Sequence, residues 1–224
     1  MANIQKVSGN SLSGLGIKSK PKVKLDAGVI KHVARPDPGQ PSLLVLLDAS
    51  GSMGWETNSG PTKMSLVWRA LQKEIMPHLA GWEYKVASFS KGWASNQSVR
   101  EISGSARAPS PDGDTPMLAA LQYAWTYFAA RPGRVILVTD GCPTDAYEAE
   151  IIAAAKLNPG IPVDTVGVGD AGYAYTYNPE FLRSLSEATG GIFSEVGAVR
   201  VSVEAALRQL SPKERPMLGM GVRS

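Results

Sequence analysis

The stretch LLVLLDASGSMG, residues 43–54, combines an apolar run with a regular set of polar side chains. Five apolar residues lead directly into Asp48, and Ser50 and Ser52 follow at alternate positions. An unbroken apolar run of this length is typical of a strand buried on both faces of a parallel sheet. The stretch therefore predicts a buried strand that brings one carboxylate and two hydroxyls to an edge of a sheet.

Segments with strand-like and helix-like patterns alternate after this strand. A second apolar run, RVILVTD at 134–140, also ends in aspartate, while Leu118, Leu121, Trp125 and Phe128 recur at helical spacing. This alternation predicts an α/β fold with a doubly wound, mostly parallel sheet, helices on both faces and one antiparallel edge strand. In such sheets ligands bind beside the carboxyl ends of the strands, where the strand order reverses. Asp48 and Asp140 are therefore expected at the same edge.

The domain boundaries follow from composition. The chain has 224 residues, enough for one packed domain with flanking segments. Residues 1–22 are rich in Ser, Gly and Lys and predict a flexible tail, and 23–40 predict an extension with short strands. We predict the folded domain over 41–211 and a second tail over 212–224.

Charge and cysteine content exclude several functional classes. The net charge is +3 with the basic residues scattered, which does not favour a nucleic-acid surface. One cysteine, Cys142, cannot form an intrachain disulfide. No segment resembles a signal peptide or a membrane span. We therefore expect a cytoplasmic protein that binds neither nucleic acid nor membrane.

Oxygen donors come together in three segments: DASGS at 48–52, DGDTPM at 112–117 and TDG at 139–141. The candidate metal ligands are Asp48, Ser50, Ser52, Thr115 and Asp140. Magnesium prefers octahedral oxygen coordination and usually keeps several waters, so hydroxyls with water-mediated carboxylates suit it. The sequence favours Mg²⁺, with Mn²⁺ or Ca²⁺ as alternatives.

This D-x-S-x-S motif, followed by a separate Thr and a separate Asp, resembles the metal-ion-dependent adhesion site of von Willebrand factor A domains. The resemblance implies that Ser50 and Ser52 bind the metal directly, that Thr115 binds directly or through water, and that Asp48 and Asp140 hold metal-bound waters. The open coordination position would then accept an Asp or Glu of a partner protein. The chain resembles small intracellular bacterial members, either tellurite-resistance-type proteins or those associated with AAA+ ATPases in MoxR and chelatase systems.

The resemblance predicts a metal-dependent protein–protein interaction module, with an AAA+ ATPase or a kinase and phosphatase pair as candidate partners. A partner-binding rim is predicted from aromatic residues in loops near the site: Trp55, Trp93, Tyr173, Tyr175 and Tyr177. A scaffold whose interfaces lie away from the metal is the alternative.

Catalysis is disfavoured, and we expect no enzyme. A phosphatase that forms an aspartyl phosphate typically has a second Asp where this chain has Ser50, and no catalytic lysine is recognisable, so a metal-dependent phosphohydrolase is a remote alternative. A serine hydrolase needs a base near the serines, but His32 and His78 are predicted surface residues far from them. Cys142 has no histidine partner and is predicted to pack within its loop.

Overall fold

The computed structural model describes residues 42–57, 60–79, 83–92, 98–129, 132–169 and 178–195. A six-stranded sheet forms the centre of this part of the chain. Its strands are β1 (Ser42–Asp48), β2 (Glu83–Phe89), β3 (Val99–Glu101), β4 (Gly133–Thr139), β5 (Val163–Gly167) and β6 (Phe193–Glu195). Every residue of β1 and of β4 is buried, as their apolar sequences predict for strands covered on both faces.

The strand order is β3-β2-β1-β4-β5-β6. All neighbouring pairs are parallel except β2 and β3, which are antiparallel, so the predicted fold with one antiparallel edge strand is confirmed. The order runs outward from β1 in one direction and from β4 in the other. The strand order therefore reverses between β1 and β4, and the carboxyl ends of these two strands form the edge at which such sheets bind ligands.

Helices cover both faces of the sheet. They are α1 (Lys63–Ala70), α2 (Met117–Tyr127), α3 (Glu148–Lys156) and α4 (Pro179–Thr189). Alternate residues of β1 point to opposite faces: Leu44 and Leu46 pack with α2, α3 and α4, while Leu43, Val45 and Leu47 pack with α1. The two cores fix the sheet from both sides and so hold its carboxyl edge in place.

The prediction for the buried face of α2 needs one correction. The α2 face that packs most deeply contains Met117, Ala120, Leu121 and Ala124, whereas Leu118 and Trp125 are only partly buried, because α2 meets the sheet about one position away from the predicted stripe. The segment after α1 continues as a π-helical turn (Leu71–Ile75) and a 3₁₀ turn (Met76–Leu79).

Residues with strong capping preferences form both ends of α4. The Asn178 side chain accepts hydrogen bonds from the backbone N–H groups of Glu180 and Phe181, and Pro179 occupies the first turn. Gly190 ends the helix in the left-handed region with a φ of 75°. The predicted tails and the 23–40 extension lie outside the described residues. Within the described ranges, no helix combines the length and apolarity needed to span a bilayer.

Candidate metal site

Asp48, the last residue of β1, is fully buried and both of its carboxylate oxygens accept hydrogen bonds. Oδ1 accepts from the backbone N–H of Ser50 at 2.8 Å, and Oδ2 accepts from Thr139 Oγ1 at 2.6 Å. Thr139 ends β4, the strand beside β1. The carboxylate is therefore fixed by groups from both strands that flank the reversal of the sheet.

The two serine hydroxyls lie side by side after β1. A 3₁₀ turn at Gly51–Gly54 folds the chain back, and Ser50 Oγ comes within 3.1 Å of Ser52 Oγ. Ser52 Oγ also donates to Asp140 Oδ1 at 2.8 Å. The predicted ligands of the first and third segments are thus joined directly by a hydrogen bond.

Backbone contacts on both sides hold Thr115 beside the serine loop. Gly51 N–H donates to the Gly113 carbonyl at 2.9 Å. Gly113 has a φ of 73°, and a Cβ there would lie 2.1 Å from the Lys91 carbonyl oxygen, so only glycine fits this position. On the other side, Thr115 N–H donates to Thr144 Oγ1 at 3.1 Å, and Thr144 N–H donates to the Thr115 carbonyl at 3.0 Å. These bonds connect the Thr115 loop to the loop after β4.

A small space beside Gly141 is bordered by three of the candidate ligands. A Cβ built on Gly141 would lie 3.2 Å from Thr115 Oγ1, 3.8 Å from Ser52 Oγ and 3.9 Å from Asp48 Oδ2. Adjacent ligands of octahedral Mg²⁺, with bonds of about 2.0–2.1 Å, lie about 2.9 Å apart, close to the observed separation of the serine hydroxyls. The five predicted residues therefore converge, and their oxygen donors fit a small divalent cation.

Lys63, the first residue of α1, was not anticipated from the sequence. Its side chain is buried, and Nζ donates to Asp140 Oδ2 at 2.6 Å. Nζ also lies 5.4 Å from the ring centroid of Trp55. A signal was present in the sequence, because lysine at the start of a helix opposes the helix dipole and is unusual there.

Burial dominates the electrostatics of both carboxylates. It raises the pKa of Asp48 from 3.8 to about 6, partly offset by the hydrogen bonds from Thr139 and Ser50. Burial also raises the pKa of Asp140, while the Lys63 ammonium acts in the opposite direction. A divalent cation between these groups would favour their charged forms.

The other residues singled out from the sequence are the aromatic rim residues, the two histidines and Cys142, and the structure describes some of them. Trp55 follows the serine loop and is 62% exposed, as a rim residue should be. Trp93, Tyr173, Tyr175 and Tyr177 lie outside the described residues, as do His32 and the side chain of His78. The prediction that Cys142 packs within its loop is wrong, because the residue is exposed; partial burial of the thiol and the nearby Glu148 raise its pKa, which disfavours a thiolate.

The donor set differs from that of most protein metal sites. Among the described residues, no group of three or more His, Cys, Asp or Glu side chains is arranged to hold a metal. Within the described ranges, Asp48 and Asp140 are the buried carboxylates at this edge, and the other candidate donors are hydroxyls. This composition, on a sheet whose order reverses at the site, defines the class of α/β domains with a hydroxyl-rich set of candidate ligands at the strand tips.

Comparison with known families agrees with this class. Residues 42–195, more than half of the chain, match the model of the von Willebrand factor type A domain. The chain belongs to this family. A comparison with curated proteins found no match.

Solved structures with the same fold come from distant organisms. The von Willebrand factor type A protein from Catenulispora acidiphila is 16% identical with a TM-score of 0.54, and the match covers 77% of this chain and 42% of that one. The ArnB paralog VWA2 from Sulfolobus acidocaldarius is 18% identical with a TM-score of 0.53, covering 75% and 46% respectively. The manganese-loaded TRAP protein from Plasmodium vivax is 17% identical with a TM-score of 0.52, covering 75% and 73%. The chain thus spans less than half of the first two proteins, and the likeness concerns the fold.

Proposed function

We propose that this chain is a metal-dependent protein–protein interaction module. Its metal-ion-dependent adhesion site consists of Asp48, Ser50, Ser52, Thr115 and Asp140. A divalent cation held there, Mg²⁺ in the cell or Mn²⁺ in its place, acts as a Lewis acid that attracts a carboxylate. The partner protein contributes an Asp or Glu.

One observation carries this proposal: hydroxyls and carboxylates from three separate loops converge at the reversal of the sheet. Ser52 Oγ contacts both Ser50 Oγ and Asp140, and Thr115 Oγ1 borders the same space beside Gly141. Uncharged hydroxyls transfer less charge to a cation than carboxylates do, so the cation retains affinity for a further acidic ligand. The manganese-loaded TRAP protein, which has a similar fold, supports a divalent metal.

The exposed surroundings suit a protein partner. Trp55 stands 62% exposed next to the serine loop, and exposed tryptophans are preferred anchors in interfaces. We place the module in a cytoplasmic bacterial complex, with an AAA+ ATPase or a kinase and phosphatase pair as the candidate partners. This placement depends on the resemblance to bacterial members of the family.

Metal binding and partner capture test the proposal together. Calorimetry with Mg²⁺ and Mn²⁺ should give saturable binding to the wild-type chain and none to the Ser50→Ala/Ser52→Ala variant. Partners captured in Mg²⁺ should be lost in EDTA and lost from that variant. Ser184→Ala, on the exposed face of α4, is the matched control and should behave as wild type. Failure of the wild-type chain to bind either metal would disprove the proposal.

A scaffold with interfaces away from the metal is the second candidate, and one surface favours it. A cleft of about 530 Å³ lies between α2 and α3, and Leu157 at its border is 83% exposed. Trp125, Ala129 and Ala154 line the cleft together with Leu157, and a contiguous apolar surface of this kind can accept a partner's side chain. Partners that remain bound in EDTA but are lost on Leu157→Asp would favour this alternative.

A phosphohydrolase is disfavoured by the state of Asp48. A nucleophilic aspartate needs a free, accessible oxygen, whereas Asp48 is fully buried and both oxygens already accept short hydrogen bonds. The site therefore suits binding better than covalent chemistry.

A further inference from the structure

Lys63 occupies a position that helix stability does not explain. It is the first residue of α1, directly after the capping residue Thr62, whose Oγ1 accepts from Ser65 N–H. The helix dipole places partial positive charge at this end and disfavours a cation. Lys63 is nevertheless only 3% exposed, and burial of a lysine is costly unless the ammonium is paired. A residue that opposes local preferences and is buried marks a functional position.

The Lys63 ammonium is held at the metal site by two contacts. It donates to Asp140 Oδ2 at 2.6 Å, while the other oxygen of the same carboxylate accepts from Ser52 Oγ. The centroid of the Trp55 ring lies 5.4 Å from the same Nζ, at a distance typical of a cation–π contact. The Asp140 carboxylate thus accepts one hydrogen bond from the Lys63 ammonium and one from the candidate ligand Ser52.

The buried charges of the described residues fall into two groups. Arg134 and Asp164 pair with each other near the amino ends of β4 and β5. Asp48, Asp140 and Lys63 are the buried charged side chains at the carboxyl edge of the described sheet. These three buried side chains, two carboxylates and one ammonium, together carry one net negative charge.

We propose that Lys63 is a tethered cation that lowers the affinity of the site for its metal and raises the affinity of the loaded site for a carboxylate. This inference rests on the proposed metal-dependent function. With a divalent cation bound, the three buried side chains and the metal carry one net positive charge. A single partner carboxylate neutralises it.

Without the Lys63 ammonium, the metal-loaded site would have a different net charge. Two carboxylates and a divalent cation are already neutral, so a partner carboxylate would create a net negative charge in a buried environment. Charges in such a place interact strongly because the effective dielectric constant is low. With Lys63 present, the site therefore becomes electrically neutral when a partner carboxylate binds, and not when the metal binds alone.

The test compares Lys63→Met and Lys63→Gln with Lys73→Met. Gln keeps a hydrogen-bond donor for Asp140 without the charge and supplies a second variant if Met at this buried position prevents folding. Lys73 is exposed in the π-helical turn after α1, and its replacement removes the same charge away from the site. Two readouts are taken for each chain: the Mn²⁺ affinity from the electron paramagnetic resonance signal of free Mn²⁺, and the acetate affinity of the Mn²⁺-loaded protein from water proton relaxation.

The expected changes have opposite signs. Both Lys63 variants should bind Mn²⁺ about tenfold more tightly, and their loaded forms should bind acetate about tenfold more weakly. Lys73→Met should leave both affinities at the wild-type value. If Lys63 only supported the structure, its replacement would weaken Mn²⁺ binding. Tighter Mn²⁺ binding by the variants therefore cannot result from a damaged structure.

The possible failures are distinct. If wild type binds Mn²⁺ but the folded Lys63 variants bind it no more tightly, or bind acetate equally well, this inference is wrong and the proposed function stands. If wild type does not bind Mn²⁺, the proposed function and this inference are both wrong.

Discussion

Thr115 and Thr144 form two hydrogen bonds with each other across the site. Thr115 N–H donates to Thr144 Oγ1 at 3.1 Å, and Thr144 N–H donates to the Thr115 carbonyl at 3.0 Å. One of these residues is a candidate ligand and the other lies four positions after Asp140 in the chain. The loop after β4 therefore determines the position of a ligand that belongs to another loop.

Thr144→Val should weaken metal binding although Thr144 is not itself a candidate ligand. Valine has nearly the same shape but cannot accept from Thr115 N–H, and loss of one such bond costs about 1 kcal/mol, or about fivefold in affinity. Calorimetry with Mn²⁺ measures the change. Thr126→Val removes a hydroxyl that bonds to Gln122 on the exposed face of α2 and is the control. Equal affinities for the two variants would contradict the proposed positioning.

Gly141→Ala should impair the site while leaving the fold intact. The new methyl group would lie 3.2 Å from Thr115 Oγ1, in the space that the candidate ligands border. Crowding of this kind costs about 1–3 kcal/mol. We expect this cost to reduce the affinity of the site for Mn²⁺. Gly160→Ala is the matched control, since a Cβ there meets no atom within 4 Å. Unchanged Mn²⁺ binding by Gly141→Ala would place the metal elsewhere.

Asp145 should stabilise the fold as a cap for α2. Its Oδ1 and Oδ2 accept from the backbone N–H groups of Leu118 and Ala119 at 3.1 and 2.9 Å. Asp145→Ala should lower the free energy of unfolding by about 1 kcal/mol in urea denaturation, whereas Asp145→Asn, which can still cap, should lose less. A similar loss for both variants would argue against capping.

The stability of the metal-free protein should depend on pH through Asp48. Because burial raises the pKa of Asp48 to about 6 in the folded state, the folded chain binds this proton more tightly than the unfolded chain. The stabilising contribution is therefore fully present below pH about 4 and is lost as the pH rises through about 6, a change of about 3 kcal/mol. In EDTA, wild type should gain stability relative to Asp48→Asn as the pH falls from about 7 to about 5. A difference that does not vary with pH would refute this assignment.

Metal should stabilise the folded chain by mass action. A ligand that binds only the folded state at one hundred times its dissociation constant adds about 2.7 kcal/mol to the free energy of unfolding. Thermal unfolding with Mn²⁺ should show this gain for wild type and Ser184→Ala, and EDTA should abolish it. Ser50→Ala/Ser52→Ala should show no gain; a full gain in this variant would mean that the metal binds at another site.

The sequence by itself determined the sheet and the kinds of ligand at its edge. Apolar runs ending in Asp48 and Asp140 indicate buried strands, because a continuous apolar segment of this length is typical of a strand that is covered on both faces. The caps of α4 were equally readable, since Asn178 and Gly190 act within a few residues of their own positions. Hydrophobic periodicity and helix capping depend on residues that are close in sequence, so a single segment is enough to recognise each of them.

Tertiary structure alone decided how the ligands are held. Lys63 meets Asp140 across 77 positions of sequence, and Thr139 bonds Asp48 across 91. Such contacts depend on which strands become neighbours and on how far α1 lies from β4, and no local pattern encodes these distances. The sequence supplies the donors, but the packing of helices on both sides of the sheet sets the charge around them, because burial is a property of the whole fold.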